Sequence, residues 1–348
     1  KDCYTLKLIK EIYMKQLLKL SAASLLVVGA LSVQASTLGD VQAKGYVSCG
    51  VSKGLAGFSS ADSSGTWTGV DVDVCRAVAA ATLGDAQKVK FVPLTAKERF
   101  TALQSGEIDM LSRNTTWTIT RDASLGLNFA GVNYYDGQGF MVKSSLGVSS
   151  AMELSGAAVC IQAGTTTELN LADWGKANGI EYNSVVSDTN AQTLTNYDAG
   201  RCDVLTTDAS GLYSMRAAAS DPSEHVVLPE IISKEPLGPV VRQGDDQWFN
   251  IVRWSLNAMI TAEELGVTSA TVDDVSNNPE RERLMGRSGS THEYVGLTPD
   301  WTYQIVKQVG NYSESFERNI GINTPIGIAR GVNALWTDGG ILYSPPFR

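Results

Sequence analysis

Short apolar runs alternate with segments whose apolar residues recur at helical spacing, and this alternation continues along most of the chain. The pattern predicts α/β architecture. Residues 45–51 (GYVSCGV) predict a strand, 70–81 a helix that stops before Gly84, and 88–94 (KVKFVPL) a second strand. Residues 96–105 predict a helix closed by Gly106, and 108–111 a third strand. The same order returns later. Residues 157–162, 181–186 and 203–205 predict strands, separated by helices over 165–177 and 190–199, the latter closed by Gly200. One local echo is close: 101–111 (TALQSGEIDML) and 196–205 (NYDAGRCDVL) each join a helix end, a Gly stop, an Asp and an apolar strand. Two βαβαβ runs with matching internal units imply two lobes of one design.

The first 35 residues do not belong to this pattern. Met14 opens a basic segment with Lys15 and Lys19, followed by an apolar run over 20–33 and the small residues Val33-Gln34-Ala35. This is the form of a cleaved export signal, with residues 1–13 upstream of the start; the run is short for a permanent membrane span. Export changes the reading of the cysteines. Cys3 precedes the proposed start, and Cys49, Cys75, Cys160 and Cys202 remain, an even number that favours disulfides. Four cysteines allow three pairings. Two fall in each βαβαβ run, so one bridge per lobe, Cys49–Cys75 and Cys160–Cys202, is the simplest expectation. Without a CxxC spacing, and with only two histidines far from the cysteines, a structural zinc site is not expected.

The whole chain carries a formal charge of −9; residues 1–35 contribute +3, which leaves the remainder near −12. An acidic chain without a Lys/Arg run is a poor match for nucleic acid or an anionic membrane. The remaining length suffices for two domains with separate cores.

In open α/β sheets ligands bind beyond the carboxyl ends of the strands. That rule selects four loops: Ser52-Lys53-Gly54-Leu55, residues 113–121, residues 163–167, and Thr206-Thr207-Asp208. They contain Asn114, Thr115, Thr116 and Arg121, whose guanidinium fork suits a carboxylate. Thr165, Thr166 and Thr167 open a helix, where free N–H groups favour an anion. Asp208 supplies one negative charge. Taken singly, Arg121 suits an ion pair with Asp122, the threonines a helix N-cap, and Asp208 another cap. Together on strand-end loops they suit a zwitterion, of which a free α-amino acid is the simplest.

Several longer stretches extend this reading: residues 67–78 (WTGVDVDVCRAV), 111–117 (LSRNTTW), 133–141 (NYYDGQGFM), 235–241 (EPLGPVV) and 333–336 (NALW). In these the chain resembles, from about Gly45 to its C-terminus, the general L-amino-acid-binding periplasmic proteins of polar-amino-acid ABC importers, in solute-binding protein family 3. The resemblance implies the type II periplasmic-binding-protein fold: 36–140 and 241–348 as a discontinuous first lobe with a C-terminal tail, and 141–240 as the second. Crossings near 139–142 and 239–242 would form a two-strand hinge. It also implies that Arg121 grips the ligand α-carboxylate with Thr116 and Thr166, and that Asp208 holds the α-ammonium with the backbone carbonyl of Asn114. Ser52, Leu55 and Phe58 would line the side-chain pocket, and Gln162 would add a polar contact from the other lobe. Relatives that select basic amino acids carry an acidic residue at Ser52 and an aromatic one at Leu55, so a permissive pocket and broad selectivity are implied here.

The expected partners are a free L-amino acid and the permease subunits of an ABC transporter, with a periplasmic, monomeric protein and no cofactor. Trp301, Trp336 and Tyr343 in the tail are expected to pack on the first lobe rather than on ligand. The alternative is a dehydratase-like enzyme on the same fold acting on a small carboxylate. The four loops offer it no His, no nucleophilic Cys and no obvious carboxylate pair.

Overall fold

A computed structural model describes residues 36–348. The export signal expected over 14–35 and Cys3 lie outside the described residues. In chain order the first part runs α1 (Thr37–Lys44), β1 (Val47–Ser52), the small hairpin β2 (Ser60–Ala61) and β3 (Trp67–Thr68), then α2 (Val70–Leu83) and β4 (Val89–Leu94). It continues through α3 (Arg99–Gln104), β5 (Met110–Leu111), β6 (Leu127–Phe129) and β7 (Tyr134–Asp136). The middle comprises β8 (Gln138–Lys143), β9 (Ala158–Gln162), α4 (Thr166–Asn178), β10 (Asn183–Ser187), α5 (Asn190–Asp198), β11 (Val204–Asp208), α6 (Ala209–Ala218) and β12 (His225–Val227). Then come β13 (Glu235–Leu237), β14 (Val240–Arg242), the long α7 (Asp246–Glu264) and the tail helices α8 (Pro279–Leu284), α9 (Thr291–Val295), α10 (Trp301–Gln308) and α11 (Tyr312–Asn319).

Two five-stranded sheets result, in the orders β4-β1-β5-β14-β6 and β10-β9-β11-β8-β12. In each, four strands run one way and a single strand, β14 or β8, runs the other: β1 lies between β4 and β5, as β9 lies between β10 and β11. The repeat read in the sequence is therefore a repeat of topology. All six residues of β1 are buried, as expected of a central strand covered on both faces. Pro93 sits in β4, the edge strand of the first sheet, where its missing N–H breaks no ladder. Between the sheets lies a two-stranded ladder, β7 with β13, in which Glu235 is directly opposite Asp136. The segments 139–142 and 239–242, expected as crossings, fall largely within β8 and β14, so the paired segments that join the sheets are Tyr134–Asp136 and Glu235–Leu237.

Two elements differ from the local reading. The helix expected from residue 96 starts at Arg99, because Thr95 and Glu98 first exchange hydrogen bonds in a turn (Thr95 N to Glu98 Oε2, 2.9 Å; Glu98 N to Thr95 Oγ1, 3.2 Å). The strand expected over 203–205 runs to Asp208. Val204–Asp208 pairs antiparallel with Val142–Gln138, a partner some 65 residues away that local periodicity cannot register. Thr206-Thr207-Asp208, expected as a loop, is thus the end of β11.

The alternating carboxylates of α2 link distant parts of the first sheet's side. Asp71 accepts from Asn114 N (2.6 Å), Asn133 Nδ2 (3.0 Å) and Ser112 Oγ (3.2 Å). Asp73 accepts from Ser315 Oγ, Arg318 Nη2 and Asn319 Nδ2 of α11, each at 2.7–2.8 Å. Gly69 precedes the helix at φ 134°, and a Cβ there would stand 2.0 Å from Phe58 O, so only glycine fits. Trp301 is buried in the same core, whereas Trp336 and Tyr343 stay exposed and meet edge to face at 5.8 Å. The tail also reaches the crossing ladder. Asn333 accepts from Tyr135 N (2.7 Å) and donates to Tyr135 O (3.0 Å).

Cys49 of β1 is bonded to Cys75 of α2, and Cys160 of β9 to Cys202 just before β11. Each bridge ties a central strand to a neighbour within one half of the molecule. Spans of 26 and 42 residues restrict the unfolded chain by about 3–4 kcal/mol each. Cys160→Ala/Cys202→Ala is accordingly expected to lower unfolding free energy by about 3 kcal/mol in a urea titration under non-reducing conditions. An unchanged midpoint would show that the bridge contributes nothing.

Candidate functional site

The carboxyl ends of both sheets' central strands open onto one small cavity of about 20 Å³, roughly the room one water requires. Asn114 and Thr116 line it from the first sheet's side; Gln162, Thr165, Thr166 and Asp208 line it from the second's. The walls touch in this structure. Thr116 Oγ1 lies 3.2 Å from Thr166 Oγ1, Lys97 Nζ reaches Asp188 at 2.7 Å, and Ser214 Oγ donates to Ala56 O at 2.8 Å. Broader grooves, such as that beside Val186 and Arg201, draw on one side only.

Local folding sets these groups at the cavity. Asn114 has φ 32°, an uncommon conformation for a residue with a side chain. The Asp71 carboxylate on its N–H holds it there. Thr165 precedes α4 but does not cap it with its side chain; its hydroxyl donates instead to Gln162 O at 2.7 Å. Asp208 likewise precedes α6 without a side-chain cap, and no described residue donates a hydrogen bond to its carboxylate. The ordinary capping roles open to these residues are therefore not the ones they take.

Arg121 sits in a π-helical turn, Thr120–Ser124, and is buried. Its Nη1 donates to Thr116 O at 2.9 Å, and its guanidinium lies over the Phe100 ring at 5.2 Å. It stands behind Thr116 rather than on the cavity wall. Ser52, Leu55 and Phe58 are also buried, and none lines the cavity. Leu55 and Phe58 belong to the apolar core, with Phe58 edge to face with Tyr134 at 5.4 Å, and Ser52 N donates to Ser59 Oγ. In their place two arginines line the cavity, Arg99 and Arg113. Arg113 lies in the LSRNTTW stretch beside Asn114, a signal the sequence did contain. Arg99 is the first residue of α3, where nothing local distinguishes it from a surface helix residue.

Charge is concentrated around this cavity. Burial lowers the pKa of all three arginines, that of Arg113 to about 10. For Arg99, the nearby Arg121 and Arg113 push in the same direction. Opposite them are Asp208, Asp136 and Glu235. Burial, with Asp136 and Glu235 nearby, raises Asp208 well above the usual carboxylate range, against the pull of Arg99 and Arg121. Glu235 accepts from Thr166 Oγ1 (2.9 Å), Asn170 Nδ2 (2.6 Å) and Ser233 Oγ (2.8 Å), so it joins the crossing ladder to α4.

Comparison with known proteins places this geometry in a family. Residues 47–271 match the model of the bacterial extracellular solute-binding proteins, family 3. The chain is 61% identical over 330 residues to the general L-amino acid-binding periplasmic protein AapJ of Rhizobium johnstonii, covering 94% of this chain and 97% of that one. It is 56% identical over 330 residues to the glutamate/glutamine/aspartate/asparagine-binding protein BztA of Rhodobacter capsulatus, with the same coverage. Among solved structures, an ABC transporter periplasmic binding protein from Brucella ovis with glutathione bound superposes with a TM-score of 0.89 at 57% identity, covering 90% of this chain and 100% of that one.

The carboxylate cluster has a pH signature. Burial pushes Asp136 up to about 6, although Ser210 Oγ and Gly137 N donate to it. In the unfolded chain an Asp titrates near 3.9. Between about pH 4 and 6 the folded state therefore holds more protons, and stability falls as pH rises. Asp136→Asn is expected to raise the melting temperature at pH 7.5 by more than at pH 5, in thermal scans of both proteins. An equal shift at both pH values would remove Asp136 as the source.

Proposed function

We infer that this chain, which belongs to the bacterial extracellular solute-binding proteins of family 3, captures free L-amino acids of several side-chain classes between its two halves in the periplasm and delivers them to an ABC transporter. As a member of that family it is a binding protein rather than an enzyme. One observation carries the reading: a buried carboxylate that accepts no hydrogen bond from any described residue, Asp208, faces hydroxyls and a helix start drawn from both sheets.

Each half of an α-amino acid has a counterpart there. The α-ammonium fits Asp208 and the carbonyl of Asn114. The α-carboxylate fits Thr116, the Thr165–Thr166 start of α4 and the Arg121 guanidinium behind them, which supplies an unlosable positive charge. These anchors address what all amino acids share, which supports broad selectivity. The relatives' names agree: one is a general L-amino acid binder, another takes two acids and their amides, and the glutathione held by the solved relative ends in a γ-glutamyl residue with the same free α-groups.

A cavity of about 20 Å³ admits a ligand only as the walls part, so binding and closure are one process. The ladder of β7 with β13 is the natural pivot, being the only pairing among the described strands that belongs to neither five-stranded sheet apart from the small β2–β3 hairpin. Ligand touching both walls favours closure; contact with one wall alone would shift nothing.

Calorimetric titration of ligand-stripped protein with one amino acid of each side-chain class tests this. Several classes are expected to bind, and Arg121→Ala or Asp208→Ala to weaken binding by about 3 kcal/mol or more, because the ligand's charge would be buried unpaired. No binding to any amino acid would defeat the reading; unchanged affinity in both variants would move the anchors elsewhere.

A further inference from the structure

We propose that Asn333 is a positioning residue of the pivot: it fixes Tyr135 to the first sheet's side, so that opening and closing bend the β7–β13 ladder at one step, between the Tyr135·Pro236 rung and the Asp136·Glu235 rung. This rests on the reading of that ladder as the pivot of an amino-acid receptor, and it says where the ladder bends and what confines the bend.

The register of the ladder leaves an outer edge to be filled. Tyr135 stands opposite Pro236, and proline has no N–H to give a neighbouring strand. In an antiparallel pair every second residue turns its N–H and C=O outward. Tyr135 does so, and Asn333 meets both groups: Tyr135 N donates to Oδ1 at 2.7 Å, and Nδ2 donates to Tyr135 O at 3.0 Å. One amide, which carries both an acceptor and donors, takes the place of a third strand. The other edge is filled from the first sheet's side too. Trp117 N donates to Pro236 O at 2.8 Å, and Gly238 N to Thr115 O at 3.0 Å.

Asn333 is itself held. It is buried, and its carbonyl accepts from Arg330 Nε at 3.1 Å and Nη2 at 3.0 Å. Arg330 is pinned in turn by Glu263 of α7 at 2.8 Å, and by the rings of Tyr312 and Phe316 of α11, whose centroids lie 5.2 and 5.0 Å from its Cζ. Tyr312 adds a bond of its own, from its hydroxyl to Asn133 O at 2.7 Å. The amide is thus ordered by its neighbours, and little side-chain entropy remains to be lost in gripping the strand.

One rung on, the partners change side. Asp136 accepts from Ser210 N and Oγ at the start of α6, and Gly137 O accepts from Ala209 N at 2.7 Å. Across the ladder, Glu235 accepts from Thr166 and Asn170 of α4. Neighbouring rungs are therefore bonded to opposite sides of the cavity, with a single backbone step between them on each strand. On β13 that step includes the φ of Pro236, which its ring fixes, so β7 takes up most of the turn.

Such a clamp acts on ligand binding without touching ligand. A pivot confined to one step leaves the ligand-free protein fewer conformations, so closure forfeits less conformational entropy. Without the amide, Tyr135 is released from the first sheet's side, bending spreads back toward Asn133, and the open state broadens. Affinity then falls by a common factor for every ligand, because the groups that meet the ligand are unchanged.

The test places spin labels at Glu107→Cys and Lys176→Cys, exposed positions on the first and second sheet's sides, and reads the distance between them by pulsed electron resonance. Asn333→Leu keeps the bulk and removes both bonds to Tyr135. Ser315→Ala is the control, since it removes a tail bond to Asp73 that does not reach the ladder. The ligand-free distance distribution is expected to broaden in Asn333→Leu and to match the wild type in Ser315→Ala. By calorimetry, the Kd values for L-glutamate, L-glutamine and L-leucine are expected to rise together in Asn333→Leu by about threefold or more, within the range of coupling changes made by residues that touch no ligand. An unchanged distribution in Asn333→Leu, equal broadening in Ser315→Ala, or a change in the ranking of the three ligands overturns the proposal. If Asn333→Leu fails to fold by thermal scan, Tyr312→Phe decides: losing the bond to Asn133 O should broaden the ligand-free distribution to a smaller degree, and no broadening overturns the clamp. If the wild type binds none of the three amino acids, the receptor reading falls, and the ligand-free distribution still decides the clamp.

Discussion

Three donors converge on the buried carboxylate of Asp71, and the binding wall depends on that convergence. Asn114 N, Asn133 Nδ2 and Ser112 Oγ come from the end of β5, the loop beyond it and the approach to β7. The carboxylate's bond to Asn114 N holds that residue at φ 32°, and without it Arg113 and Thr116 on either side would lose their aim. The loop is fixed on its far side as well. Trp117 N donates to Pro236 O and Gly238 N to Thr115 O, so the wall is stitched to the strand that crosses between the sheets. A force on the wall is thereby transmitted to the crossing ladder through backbone bonds. Asp73, one turn-face away on α2, extends the same helix's reach into α11 of the tail.

The cavity concentrates charge that stability alone would not select. Three guanidiniums and the carboxylates of Asp208 and Glu235 are buried close together beside a half-buried Asp136, and burial works against the charged form of Arg99, Arg113, Arg121, Asp136 and Asp208. Replacing such groups by apolar ones generally stabilises a fold, and stored cost at a site is how binding proteins reserve interactions for ligand. The remainder of the described chain offsets this with four buried apolar clusters and a disulfide tying each central strand to its neighbour. The tail contributes on the outside: Arg330 joins Glu263 of α7 at 2.8 Å and donates to Asn333 O, while Asn333 grips both backbone groups of Tyr135. Residues 272–348 lie beyond the span matched by the family model, yet they brace β7, one of the two strands that cross between the sheets.

What the sequence determined by itself was everything set by local period and local chemistry. Strands such as Val47–Ser52 and helices such as Val70–Leu83 follow from runs of like residues and from stops such as Gly84 at φ 67°. The doubled βαβαβ order, the two halves' cysteines and the placing of Asn114, Thr116, Thr166 and Asp208 at strand ends follow from the same rules. Tertiary structure decided the rest, because it depends on partners far away in the chain. The extension of β11 to Asp208 needed β8 alongside. Leu55 and Phe58 turned into the core because Tyr134, almost 80 residues on, packs against the latter, and Arg99 became a cavity residue because α3 presents it beside Arg113 and Thr115 rather than to solvent. An apolar residue on a binding loop and a basic residue on a short helix carry no local mark of which way they will face. Only the packing of one element on another settles that direction, and with it which charges a ligand will meet.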